Sequence, residues 1–224
     1  MRSASENIYT INIAHKYFIM KHYHLINLPP IPTELLRFRS SIDPSQVTSV
    51  DDIGYGYNHK KGDRDLVSCR YVWAKIKDYK PLMDWLTQHI PNLNLQLVTG
   101  QMQESKENMP STHIVHSDIR REFALNYIID TGGDAITSWY RENGKPMTRT
   151  KIQGGRQADS GFVDYNNLEL LESAVLEKNK WYLISTNVLH DVDNIVGSRK
   201  SISIGIQKTN TELLKFLGIT NDTE

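Results

Sequence analysis

The sequence predicts a mainly β domain, a jelly roll or barrel with a few flanking helices. Periodicity is the first observation. From Leu93 onward apolar residues recur at every second position, and strands are predicted over 94–103, 111–117, 122–130, 135–141, 161–165, 181–186, 188–193 and 200–207. Turn chemistry is the second: Thr131-Gly132-Gly133-Asp134, Glu142-Asn143-Gly144-Lys145 and Gln153-Gly154-Gly155-Arg156 punctuate these runs, and the Asn-Gly pair is a hairpin signal. The third is connectivity, since short strands follow one another without the alternating helices of a βαβ fold.

Residues 1–20 read as an N-terminal extension; Tyr9 to Ile13 alternate like a strand but have no evident partner. Lys21 to Ile26 form another period-two run, so the folded domain is expected to begin there, with His22 and His24 as edge-strand residues rather than a ligand pair. Leu28-Pro29-Pro30-Ile31-Pro32 is a stiff extended connector, because proline fixes φ and pushes its predecessor toward extended geometry. Thr33 is expected to cap a short helix through Leu35, Leu36 and Phe38. Residues 40–65 read as irregular, crowded with Asp43-Pro44, Asp51-Asp52, Gly54-Tyr55-Gly56-Tyr57 and Lys60-Lys61-Gly62-Asp63. A loop this long is often functional, and Tyr55 and Tyr57 are candidate substrate-contacting lid residues.

Lys80 to Ile90 give the clearest helix, with Pro81 in the first turn and Leu82, Trp85, Leu86 and Ile90 on one stripe, which suits a helix lying on the outside of a sheet. Residues 166–178 fit either a strand or a short helix, and Asn210 to Leu217 read as a final amphipathic helix. The organisation expected is therefore an extension (1–20) and one domain (21–224). That domain comprises a helical and loop part (21–92), a β core (93–207) and a C-terminal helix and tail (208–224).

Composition narrows the function classes. The 26 basic and 26 acidic residues balance at a pI of about 7.1, which argues against a nucleic-acid partner. A single cysteine, Cys69, excludes an internal disulfide framework and a cysteine-based zinc site, and a reducing compartment is the default. No apolar run reaches the ~20 residues of a membrane span, and Met1 to Met20 lack the charged-then-apolar order of a signal peptide. A cytoplasmic protein with no membrane partner is expected; oligomeric state has no signature.

Chemistry concentrates in two stretches, Ser111-Thr112-His113-Ile114-Val115-His116-Ser117-Asp118 and Val188-Leu189-His190-Asp191-Val192 followed by Arg199-Lys200-Ser201. Two imidazoles and a carboxylate make the facial triad that suits non-haem Fe(II) and leaves coordination positions open. Residues two apart on a strand share a face, so His116 and Asp118 point together, and on a regular strand His113 points away. Arg199, Ser201, Ser203 and Gly205 share one face of the last strand and Ile202, Ile204 and Ile206 the other. A small polar face carrying one arginine suits a cavity wall that grips a carboxylate.

In ligand order and spacing, His116-Ser117-Asp118, then His190, then Arg199 with Ser201, the chain resembles the Fe(II)/2-oxoglutarate-dependent oxygenases. Arg120 to Ile128 also look like the segment that follows His-x-Asp in the prolyl hydroxylase-like and aspartyl/asparaginyl hydroxylase-like branch, small members of which occur in bacteria and phages. The resemblance covers roughly residues 94–207 and carries no substrate signature. It implies a double-stranded β-helix, a cupin-like jelly roll. His116, Asp118 and His190 would bind Fe(II), and Arg199 and Ser201 would bind the 2-oxoglutarate co-substrate. Asn126 would be a further polar residue at the co-substrate, and O2 would complete the reaction, yielding succinate, CO2 and a hydroxylated product. Arg121 and Trp139 join Tyr55 and Tyr57 as candidate substrate contacts, the substrate being a small molecule or a protein side chain. The competing readings are a cupin-type metalloprotein that does not use 2-oxoglutarate and a non-catalytic jelly-roll binding module.

Overall fold

Two sheets, antiparallel except for one parallel strand pair, face one another in the computed structural model, which describes residues 21–36, 50–53, 59–61, 63–107, 109–118, 121–143, 148–149, 161–162 and 165–219. In chain order the strands are β1 (Tyr23–Ile26), β2 (Val50–Ile53), β3 (His59–Lys61), β4 (Arg64–Ser68), β5 (Arg70–Lys75), β6 (Val98–Glu104), β7 (Ser111–His116) and β8 (Phe123–Thr131). They continue with β9 (Ile136–Glu142), β10 (Thr148–Arg149), β11 (Gly161–Phe162), β12 (Leu168–Val175), β13 (Trp181–Ser185), β14 (Leu189–Ile195) and β15 (Ser198–Ile206). Two α-helices, α1 (Lys80–His89) and α2 (Thr211–Phe216), and short 3-10 turns complete the described residues.

Strand order identifies the architecture. The larger sheet runs β1-β13-β8-β15-β6-β5-β2 and the smaller β12-β9-β14-β7-β4-β3, with β10 and β11 as a separate pair. Along the chain β6, β8, β13 and β15 enter the larger sheet, while β7, β9, β12 and β14 enter the smaller. Each sheet thus interleaves early and late strands, which is the pattern of a jelly roll closed as a double-stranded β-helix. The predicted strands are present with end shifts of a few residues, and the ambiguous 166–178 stretch is a 3-10 turn, Tyr165–Asn167, followed by β12.

The larger sheet has two chemically distinct faces. Its outer face carries Val98, Leu125, Tyr127, Trp181, Leu183, Ile202, Ile204 and Ile206, packed against Leu82, Met83 and Leu86 of α1 and Leu213 and Leu214 of α2. The helical stripe read from sequence lands on this surface, and each fully buried leucine contributes about 1.5–3 kcal/mol. The inner face of β15 carries Arg199, Ser201, Ser203 and Gly205, paired with Gln103, Gln101 and Thr99 of β6.

Two expectations need correction. Residues 40–65 are not simply irregular: β2, β3 and the start of β4 lie there, and β5 follows directly. β2 lies at one end of the larger sheet and β3 at one end of the smaller, so part of the stretch that reads as loop extends the sheets. Thr33 opens a 3-10 turn, Thr33–Leu36, rather than capping a helix from outside, and Phe38 lies outside the described residues. The turns at 144–147 and 153–156 also lie outside them. The Gly132-Gly133 turn is present, with φ of 68° and 75°. Among the described residues no helix is long and apolar enough to cross a membrane.

Candidate metal and anion site

The site lies between the sheets, and the smaller sheet builds one wall of it in rows. His190 pairs across with His116 on one side and Trp139 on the other, and the next row is His113, Val192 and Thr137. Between these rows β14 advances two residues while β7 advances three, so β7 carries a bulge. A bulge adds one residue to the strand and reverses the side-chain alternation beyond it. His113 therefore turns to the same side as His116, which overturns the parity expectation: their ring centroids are 4.5 Å apart, and those of His116 and His190 are 4.4 Å apart.

Hydrogen bonds distinguish the three imidazoles. His116 Nδ1 lies 2.9 Å from the Ile114 carbonyl and His190 Nδ1 2.8 Å from the Val188 carbonyl. A carbonyl only accepts, so both Nδ1 atoms carry the proton and both Nε2 atoms present a lone pair, as metal-binding histidines do. Burial, reinforced by the neighbouring His116, lowers the pKa of His190 to about 3 and keeps it neutral. His113 is wired differently. Its Nδ1 lies 2.7 Å from Gln103 Nε2, while Gln103 Oε1 accepts from Arg199 at 3.1 Å.

Asp118 follows β7, its backbone N–H donating to the Thr186 carbonyl at 2.7 Å, which ties it to the segment before β14. Its Oδ2 accepts from Arg121 Nε at 2.6 Å, and Arg121 also donates to Ser203 Oγ at 2.9 Å. Burial opposes ionisation of Asp118, but Arg121 and the two imidazoles outweigh it and bring the pKa down to about 2. Room for Arg121 comes from Gly205, where a Cβ would stand 3.3 Å from its Cδ.

Across the cavity, Tyr71, Gln103 and Arg199 form a row over β5, β6 and β15. The guanidinium donates to Gln103 and, at 3.3 Å, to Thr137 Oγ1 on the opposite sheet. Among the described residues no carboxylate pairs with it, and burial lowers its pKa to about 10. Ser201 is nearly buried on the same face. Asn126, opposite Ser203, is also nearly buried, and its Oδ1 has no hydrogen-bond partner among the described residues.

The structure thus gathers His116, Asp118, His190, Arg199, Ser201, Asn126 and Arg121 into one interior. Trp139 shares the row of His190 but is fully buried, donates Nε1 to the Ser185 carbonyl at 3.0 Å and stacks on Tyr23 at 5.6 Å, so it belongs to the core. Tyr55 and Tyr57 lie outside the described residues. His113, Gln103, Tyr71 and Thr137 were not expected here. Only the bulge and the pairing of β5 with β6 reveal them, and neither leaves a mark in the sequence.

The donor set fits a divalent ion: two imidazoles whose Nδ1 atoms are anchored to backbone carbonyls, leaving Nε2 for a metal, beside an ionised carboxylate. Among the described residues no three His, Cys, Asp or Glu side chains converge as they stand on a metal position. Asp118 would join the imidazoles by exchanging Arg121 for the ion.

No protein-family model matches the chain, and no curated protein matches it. Among solved structures it is similar to the non-haem α-ketoglutarate-dependent epimerase SnoN from nogalamycin biosynthesis, at 12% identity over 91% of this chain and 86% of that one, with a TM-score of 0.40. A second structure of that epimerase, in complex with Fe3+, α-ketoglutarate and nogalamycin RO, aligns at 13% identity over 91% and 87% of the two chains, with a TM-score of 0.39. An overlap this loose assigns no residue of the site a role.

Proposed function

We propose that the chain is an Fe(II)- and 2-oxoglutarate-dependent dioxygenase of the prolyl hydroxylase-like or aspartyl/asparaginyl hydroxylase-like kind, hydroxylating a small molecule or a protein side chain. One observation carries the reading: a partly buried, desolvated guanidinium with no carboxylate partner among the described residues faces the same interior as two histidines whose Nδ1 atoms are anchored to carbonyls. A buried, unneutralised cation is costly, and a carboxylate ligand offsets that cost with bidentate hydrogen bonds. An acid group at one end and a metal-chelating group at the other describe a 2-oxo diacid.

His116, Asp118 and His190 would hold Fe(II), and Arg199 with Ser201 would hold the far carboxylate of 2-oxoglutarate. With O2, the bound pair supplies an oxidant for a substrate C–H bond, releasing succinate and CO2. The rest of the work is the protein's. Arg199 orients the diacid and neutralises it away from water, where the attraction is strongest. The Ile114 and Val188 carbonyls hold the imidazoles in the liganding tautomer. Arg121, released by Asp118 and kept by Ser203, would line the space left for substrate, beside Asn126, whose Oδ1 has no partner among the described residues.

The test is succinate formation from 2-oxoglutarate by protein loaded with Fe(II) under anaerobic conditions and then exposed to O2. Slow uncoupled turnover is expected without the substrate, and Arg199→Ala should abolish it while metal binding persists. Metal binding with neither 2-oxoglutarate binding nor turnover would leave a metalloprotein of another kind.

A further inference from the structure

We propose that His113 is a positioning residue, a neutral Nε2–H donor aimed at a ligand oxygen between Arg199 and the two metal-binding histidines. This rests on the oxygenase reading and adds a residue to it. Arg199 has only donors, so the Gln103 amide must turn Oε1 toward it and Nε2 toward His113. The amide N–H then donates to His113 Nδ1, which can accept only as a lone pair. The remaining proton of the neutral ring sits on Nε2.

Tautomer and orientation are thereby fixed in opposite senses on one wall: His116 and His190 present lone pairs, and His113 presents a proton. Tyr71 stacks on the His113 ring at 4.5 Å and 23° and holds its plane. The ring also lies 4.5 Å from that of His116, and Gln103 joins it directly to Arg199. A diacid reaching from Arg199 toward His116 and His190 passes the His113 edge. An N–H there favours an oxygen and gives nothing to a methylene. The same wiring keeps His113 from competing as a third imidazole ligand.

Two measurements test this on the full-length chain. The first is nitrogen NMR of histidine-labelled protein without metal, which reads the tautomer directly. His113 is expected as the Nε2–H form in the wild type. In Gln103→Glu a carboxylate faces both Arg199 and His113, so the Nδ1–H form is expected instead. An Nδ1–H tautomer in the wild type overturns the proposal whatever the protein does with 2-oxoglutarate. The second is anaerobic calorimetry of 2-oxoglutarate binding to the Zn(II)-loaded protein. His113→Phe keeps the stacking on Tyr71 and removes the N–H; it should weaken 2-oxoglutarate about tenfold, the effect of one hydrogen bond to a charged group. Zn(II) affinity should stay within about twofold, and His113→Gln, which restores an N–H, should recover part of the loss. Equal 2-oxoglutarate affinity in wild type and His113→Phe overturns the positioning role and leaves the oxygenase reading standing. A wild type that binds Zn(II) but no 2-oxoglutarate removes both.

Discussion

Arg199 shows how one residue can be costly to the fold and necessary to the site. Its guanidinium is partly buried, lowered to a pKa of about 10, and met among the described residues by the neutral Gln103 and Thr137. Without an anion it is a local liability, so Arg199→Met should raise stability by about 1 kcal/mol while removing 2-oxoglutarate binding. Urea unfolding and calorimetry on the same variant measure both; a destabilised variant would show that the cation is compensated after all. The titratable groups His190 and Asp118 both make the fold acid-sensitive. His190 falls from 6.5 to about 3 on folding, so the unfolded chain binds its proton more readily between those values. Its contribution to stability is complete above pH 6.5 and is lost as the pH falls toward 3, and that of Asp118 follows between 3.8 and about 2. The urea midpoint of metal-free protein should therefore drop between pH 7.5 and 4.5, and drop less in His190→Gln. An unchanged slope in the variant would assign the acid sensitivity elsewhere. At this scale the sequence was informative about His116, Asp118, His190, Arg199 and Ser201, whose residue types and spacing are enough to nominate them. It was silent on Gln103 and Tyr71, because a glutamine or tyrosine acquires its role only from the strand pairing that sets it beside Arg199.

The elements around the site work through register, and the β7 bulge is the clearest case. Strand parity set His113 on the face opposite His116, and the bulge turns it to the same side, because parity holds only while a ladder is regular. The reverse face of β14 shows the complementary arrangement. Asp191, one residue from His190, is buried away from the site, where it accepts from Tyr140 and Tyr165 at 3.0 Å with Lys61 3.5 Å away. Asp193 on that face takes Thr112 at 2.7 Å and pairs with Arg64. These contacts fasten β3, β4 and the Tyr165 turn to the smaller sheet behind the histidines. The β8–β9 turn reaches the site from the other end. A Cβ on Gly132 would stand 2.8 Å from Arg199 Cβ, and its φ of 68° is strained for any other residue; Gly133 shares the strain at 75° but meets Val196 at only 3.4 Å. Gly132→Ala and Gly133→Ala should each cost about 1–2 kcal/mol of stability, but only Gly132→Ala should weaken 2-oxoglutarate binding by displacing Arg199. Equal affinities in the two variants would separate the turn from the site.

Over the whole molecule, the larger sheet divides labour between its faces. Core strands were legible in sequence where they alternate between an apolar and a polar face, most plainly in Ser201 to Ile206. The strands of residues 50–75 were harder to read, since strands near the sheet margins need only one covered face and mix it with charge; in β5, next to the edge strand β2, only Val72 and Ala74 are buried. The outer face of the sheet rests on α1, whose Leu82 and Leu86 are fully buried against Val98, Leu125 and Ile204. The inner face holds Arg199, Ser201 and Ser203 on β15, beside a second apolar cluster in which Ala124, Ile128, Tyr182 and Ile184 pack with Trp139 of the smaller sheet. If the faces are energetically separate, Leu86→Ala should lower stability by about 2–5 kcal/mol, the cost of a large-to-small change in a packed core. Below its lowered unfolding transition, its affinities for Zn(II) and 2-oxoglutarate should match the wild type, because the backbone of β15 is held from both sides by β6 and β8. Urea unfolding with calorimetry at low temperature checks both halves. A loss of 2-oxoglutarate affinity in the folded variant would mean that α1 sets the position of Arg199 through the sheet, and that core and site are one mechanical unit.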